Sequence, residues 1–144
     1  MTAPIDTALD DLAAEFDLLG DWEGQLQYVI DLGREMPPLA DADRTEANKV
    51  RGCASQVWLV TEPRPDGSIR FRGESDAIIV RGLIAIVLRL FDGRTPAEIL
   101  AFDTPAAFAR LGLSRMLSMQ RSNGLASMVA RIRRDAEALA QPRP

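Results

Sequence analysis

Cys53 is the only cysteine in a 144-residue chain that contains no histidine. It stands in Lys49-Val50-Arg51-Gly52-Cys53-Ala54-Ser55-Gln56, with glycine before the thiol and a polar pair shortly after it. A lone cysteine is most often a small core hydrophobe. Its glycine-bearing, polar surroundings argue here for a loop. Lys49 and Arg51 make that loop locally positive, and cationic neighbours favour the thiolate, the nucleophilic form.

The missing residue types narrow the chemistry. Without histidine, neither a Cys–His pair nor a Ser–His–Asp triad can be assembled, and the commonest metal ligand is absent. One cysteine can neither close an internal disulfide nor furnish the several thiolates of a zinc or cluster site. It can attack a sulfur atom on another protein. That reaction needs a nucleophile, access and a good leaving group, and a persulfide donor supplies the last. These residues point to a carrier rather than a self-sufficient enzyme, with no metal and no cofactor bound by this chain.

The surrounding elements must present that loop. Ile5, Leu9, Leu12 and Phe16 recur at helical spacing and predict an opening helix. After a break at Gly20-Asp21, Trp22, Leu26, Val29, Ile30 and Gly33 mark one face of a second, which Met36-Pro37-Pro38 ends. Residues 39–54 are polar and irregular, with room for a short helix over Asp43–Lys49. Gln56–Glu62 reads as a strand. Pro63-Arg64-Pro65-Asp66-Gly67 is a turn signal, and Ile69-Arg70-Phe71-Arg72 alternates as a strand with one wet face does. A third strand has only the stretch before Cys53 to draw on. Ser75-Asp76 offers an N-cap to a helix over about Ala77–Phe91, apolar on nearly every face and therefore central. Thr95-Pro96-Ala97-Glu98 has the form of a capping box, and Thr104-Pro105 starts another short helix in the same way. The last helix begins near Arg121–Asn123, runs to about Ala140, and turns Leu125, Met128, Val129, Ile132, Ala136 and Leu139 inward. The expected fold is α+β: one domain over residues 1–144, a small antiparallel sheet packed against several helices, with residues 141–144 a frayed tail.

A net charge of −4 argues against a nucleic-acid partner. Ala77–Phe91 is too short to span a bilayer and is interrupted by Arg81 and Arg89. Met1-Thr2-Ala3-Pro4-Ile5-Asp6 lacks the form of a signal peptide. The expected location is cytoplasmic, with no membrane partner.

Val50-Arg51-Gly52-Cys53-Ala54-Ser55-Gln56-Val57-Trp58 resembles the signature of the SufE family of sulfur acceptors. Gly73-Glu74-Ser75-Asp76-Ala77 with Arg81-Gly82-Leu83, and Arg121-Ser122-Asn123-Gly124-Leu125, are similar to two further blocks. Asp31-Leu32-Gly33 followed by Pro37-Pro38-Leu39 fits upstream. The blocks stand in family order and cover about residues 10–138. Met116 stands where many members have histidine, and Met119-Gln120 where they have proline-serine.

The resemblance implies a fold like that of the IscU-type scaffolds, and an acceptor cysteine at a loop tip, shielded until a partner docks. It implies that Cys53 takes sulfur from a SufS-type cysteine desulfurase, which carries pyridoxal phosphate (PLP), and relays it to a SufB-containing scaffold complex. Gly52 gives such a loop backbone freedom. Arg51 is a further candidate for the docking face. Asp76 is either a partner contact or gate, or only an N-cap. Arg121 is either a partner contact or a solvated first-turn arginine. Ser55 and Gln56 either orient the loop or touch the partner, and Trp58 belongs to the core. Two other functions compete. An iron–sulfur scaffold fails on ligand count unless subunits pool ligands. A non-catalytic regulator of a desulfurase would not need the thiol.

Overall fold

The computed structural model describes residues 4–53, 55–113 and 117–140. The expected frayed tail and Met116 lie outside them. Helix α1 (Ile5–Leu19) buries Ile5, Leu9, Leu12, Ala13 and Phe16, the stripe its helical spacing predicts. Asp21 caps α2 (Trp22–Glu35), its carboxylate accepting the Gly24 N–H at 3.0 Å. Only Val29 and Gly33 of α2 are fully buried. Trp22, expected on the buried face, is 54% exposed, because the first turn of α2 projects past the core.

Strands β1 (Val57–Pro63) and β2 (Ile69–Ser75) form an antiparallel hairpin, with Val57 opposite Ser75 and Pro63 opposite Ile69. Ile69 and Phe71 point into the core while Arg70 is exposed, as the alternation predicts. Arg72, on the wet face, pairs with Glu62 at 2.6 Å and Asp43 at 3.1 Å. The turn closes through the Arg64 N–H on the Ser68 carbonyl. The stretch before Cys53 does pair with β1: the Val50 N–H donates to the Val57 carbonyl and the Leu59 N–H to the Asn48 carbonyl, each at 2.8 Å. No helix forms over Asp43–Lys49. A single 3₁₀ turn at Asp41–Asp43 and a turn at Thr45–Asn48 deliver the chain to that pairing instead.

Helix α3 (Ile78–Phe91) is the centre, with Leu83, Ile84, Ile86, Val87, Leu90 and Phe91 buried. Burial of each such side chain is worth about 1.5–3 kcal/mol. It packs against α2 and β2. The α2–α3 crossing is close because it is made of glycines. A methyl on Gly33 would lie 2.5 Å from the Gly82 nitrogen, and one on Gly82 would collide with the Val29 carbonyl. Ser75 and Asp76 do not cap α3. Its N-cap is Ala77, with no side-chain bond. The Ser75 hydroxyl accepts the Ala77 N–H, and Asp76 bonds elsewhere.

The Thr95–Glu98 capping box forms on α4 (Pro96–Ala101). Helix α5 (Thr104–Leu111) is capped by Asp103, one residue earlier than expected, and Thr104 is buried in its first turn. Helix α6 (Met119–Ala140) starts slightly before the expected point and buries Leu125, Met128, Val129, Ile132 and Ala136, with Leu139 half-buried. The architecture is the expected α+β: a small antiparallel sheet with helices packed around it. Among the described residues, no helix is long and apolar enough to cross a membrane.

Candidate functional site

The Cys53 loop runs between two tied ends. At its entry, residues 48–50 pair with β1. At its exit, the Asp76 carboxylate accepts the Gln56 N–H at 3.1 Å, and the Asp76 N–H reaches the Gln56 carbonyl at 3.4 Å. Asp76 therefore serves the loop rather than the helix behind it. Gly52 adopts φ +88°, a left-handed conformation that disfavours other residues, and a side chain there would meet the Ser127 hydroxyl of α6 at 2.6 Å.

Cys53 is half-buried. Among the described residues, its one polar contact is a long Sγ–H bond, 3.5 Å, to the Gly124 carbonyl of α6. A glycine inside a 22-residue helix costs about 1 kcal/mol against alanine. At position 124 it leaves open the space beside the sulfur: an alanine Cβ would sit 3.6 Å from Sγ. A cleft of about 140 Å³ opens there, lined by Cys53, Ser55, Val80, Leu83, Gln120, Arg121, Gly124, Leu125 and Met128.

Burial pushes the Cys53 thiol above its ordinary pKa. The expected cationic activation is not what its surroundings provide. Arg51 is exposed and ion-paired with Glu46 at 3.1 Å. In this conformation the sulfur is partly shielded, and its burial favours the thiol over the thiolate.

The structure brings Ser55 and Arg121 to the cleft beside Cys53, and places Gln56 and Asp76 at the loop exit. Arg51 stays on the outer side, in a groove with Ser127, Arg131 and Arg134. Arg121 is exposed in the first turn of α6, where its N–H donates to the Ser118 hydroxyl at 3.2 Å. Trp58, expected in the core, is half-buried, because on β1 it alternates with the inward Val57 and Leu59. Sequence reasoning overlooked the spacing role of Gly124; an interior helix glycine was the available signal. It also overlooked the apolar wall of Val80, Leu83 and Met128, indistinguishable in sequence from core.

Behind the loop, Glu74 is buried between two arginines, Arg44 Nε at 2.6 Å and Arg81 Nη1 at 3.2 Å. The Arg44 hydrogen bond above all, helped by Arg81, holds the Glu74 carboxyl below its ordinary pKa against the opposing effect of burial. Arg81 also donates to the Gly33 and Met36 carbonyls at the C-terminus of α2. This block of β2 and α3 thereby fixes the frame on which Asp76 stands. Among the described residues, no three His, Cys, Asp or Glu side chains gather as a metal site.

Residues 10–136 match the family model described as the SufE Fe-S metabolism associated domain. The chain belongs to the SufE family. Its place is therefore among proteins associated with iron–sulfur metabolism. An uncharacterised SufE-like protein of Rhizobium meliloti is 48% identical over 134 residues, covering 91% of this chain and 96% of that one. Another, from Rhizobium etli, is 51% identical over 133 residues, covering 90% of each. A solution structure of a hypothetical protein from Thermus thermophilus superposes with a TM-score of 0.73 over 96% of this chain and 98% of that one. At 17% identity that likeness speaks for the fold alone. The SufE-like fold and the family expected from the signature blocks are both borne out.

Proposed function

We propose that Cys53 accepts sulfane sulfur from a PLP-dependent cysteine desulfurase of the SufS type, stimulates that enzyme by relieving it of its sulfur, and relays the sulfur in the cytoplasm to a SufB-containing scaffold. The observation that carries this reading is the setting of Cys53: the chain's one thiol, half-buried on a short loop, held by a long sulfur contact to the Gly124 carbonyl beside a cleft. A structural core cysteine would be enclosed on all sides. A thiol meant to react unaided would be exposed and activated.

The chemistry is two thiol–persulfide exchanges. The Cys53 thiolate attacks the terminal sulfur of the donor's persulfide. A Cys53 Sγ–S bond forms, the donor's S–S bond breaks, and the donor cysteine leaves as a thiolate. In the second exchange, an acceptor nucleophile takes the outer sulfur and Cys53 leaves as a thiolate. No external oxidant or reductant enters, because the sulfur moves in its zero-valent state. Docking must first expose the loop, which lowers the thiol pKa by restoring water around it. Asp76 and the Gly124 carbonyl hold the resting loop; Arg51, Ser55, Gln56 and Arg121 supply the docking face.

The test separates an acceptor from a regulator. Desulfurase turnover is followed by alanine release with the protein or its Cys53→Ser variant added. Stimulation by the native protein alone supports the acceptor. Equal stimulation by both would replace it with a regulator that has no use for the thiol.

A further inference from the structure

Arg131 lies about two turns beyond Gly124 on α6, with its side chain 16% exposed. Its guanidinium makes no contact with Cys53 in the described structure. It donates through Nη2 to the Ala47 carbonyl at 2.7 Å and through Nη1 to the Lys49 carbonyl at 3.3 Å. Its Nε lies 3.3 Å from both carboxylate oxygens of Asp135, one turn on. Asp135 Oδ2 in turn accepts the Thr61 hydroxyl of β1 at 2.7 Å. A chain of polar contacts thus runs from the middle of β1, through α6, to the backbone just before the Cys53 loop.

Carbonyls 47 and 49 belong to the short stretch that pairs with β1 only through the Val50 and Leu59 amides. Two ladder bonds are a weak hold for an edge segment. A planar guanidinium that spans alternate carbonyls, with its own orientation fixed by a carboxylate, is the kind of support that arginine gives and lysine does not. Pulling the loop outward by force at Cys53 would otherwise peel residues 47–50 from β1.

We infer that Arg131 is a positioning residue for the sulfur-transfer loop: it clamps the entry strand, so the loop that carries Cys53 opens between fixed ends. Asp76 fixes the exit and Arg131 the entry. Asp135 and Thr61 hold Arg131 in place. The inference rests on the proposed transfer role of Cys53 for its purpose, though its geometry does not.

The full-length protein is compared with its Arg131→Gln, Arg131→Lys and Asp135→Asn variants, and with Arg89→Gln as a control. Arg89 pairs with Glu15 at 2.7 Å on the far side of α3, away from the loop. The readouts are the rate of Cys53 alkylation by iodoacetamide, hydrogen exchange at the Val50 and Leu59 amides, and thermal unfolding. Arg131→Gln should raise alkylation about tenfold, the order of one lost charge-assisted hydrogen bond, and lose protection at both amides. Removal of a nearby cation would by itself disfavour a thiolate, so acceleration reads opening. Arg131→Lys should restore little, and Asp135→Asn should shift the same readouts by less. Arg89→Gln should lower the melting temperature and leave alkylation at the native rate. Native-rate alkylation with intact amide protection in folded Arg131→Gln would overturn the inference. So would equal acceleration by Arg89→Gln. Should Arg131→Gln not fold, Asp135→Asn decides by the same criteria. None of these readouts uses a sulfur donor, so failure of Cys53 to accept sulfur would sink the carrier role and leave the clamp standing.

Discussion

Glu74 and Asp76 stand two residues apart at the end of β2, and each carboxylate organises a different kind of neighbourhood. Glu74 is buried between Arg44 and Arg81, and Arg81 continues to two carbonyls at the end of α2. That region joins β2, α2, α3 and the loop before β1 in one network. Asp76 is exposed and holds the Cys53 loop through the Gln56 N–H. Cys53 itself adds one long sulfur contact. Opening the first region exposes unpaired charges. Opening the second exchanges a few hydrogen bonds for water. The contrast lets a loop move without the frame following it.

Glu74→Ala should have the largest effect, because it leaves Arg44 and Arg81 facing each other without their shared anion. Loss of about 3 kcal/mol of stability is expected, read by urea unfolding. The native network also sets an acid limit. The Glu74 pKa is depressed in the folded state, so its contribution is present above the unfolded value and is lost as pH falls through the folded one.

Gly52→Ala should come next, at about 1–3 kcal/mol, since φ +88° is strained for alanine and its methyl meets the Ser127 hydroxyl. Relief of that strain lies in opening the loop, so alkylation of Cys53 should quicken as stability drops. Asp76→Ala should cost only about 1 kcal/mol and still raise the alkylation rate severalfold. An Asp76 variant that lost stability without gaining reactivity would erase the distinction between frame and loop.

The smallest effect is on pH dependence. Burial raises the Cys53 pKa in the folded state. Between the unfolded and folded thiol values, the folded chain keeps a proton that the unfolded chain gives up, so stability declines slightly as pH rises through that window. Cys53→Ser should remove the decline. The alkylation profile of the native protein should inflect above that of a small thiol, and Asp76→Ala should bring it back.

Much of this was legible in residues alone. Apolar stripes on α1 and α6, the turn at Gly67 and the capping box at Thr95 are local patterns with local causes, and each formed as read. Cys53 stood out because the chain has no second thiol and no imidazole. Other features depended on tertiary partners. Asp76 has the sequence of a cap, yet a backbone amide from another segment claims its carboxylate. Arg51 promised to activate the thiol, yet Glu46 takes its charge while burial acts on the sulfur. Residues 48–50 carry no strand pattern of their own, and β1 recruits them.

The central claim is that sulfur arrives on Cys53. Its most direct test is the intact mass of this protein after incubation with a SufS-type desulfurase, PLP and cysteine. The native chain should gain the mass of sulfur, lose it on reduction, and show no gain as Cys53→Ser. A serine variant that gains sulfur as readily as the native chain, or a native chain that gains none while the desulfurase turns over, would contradict the account.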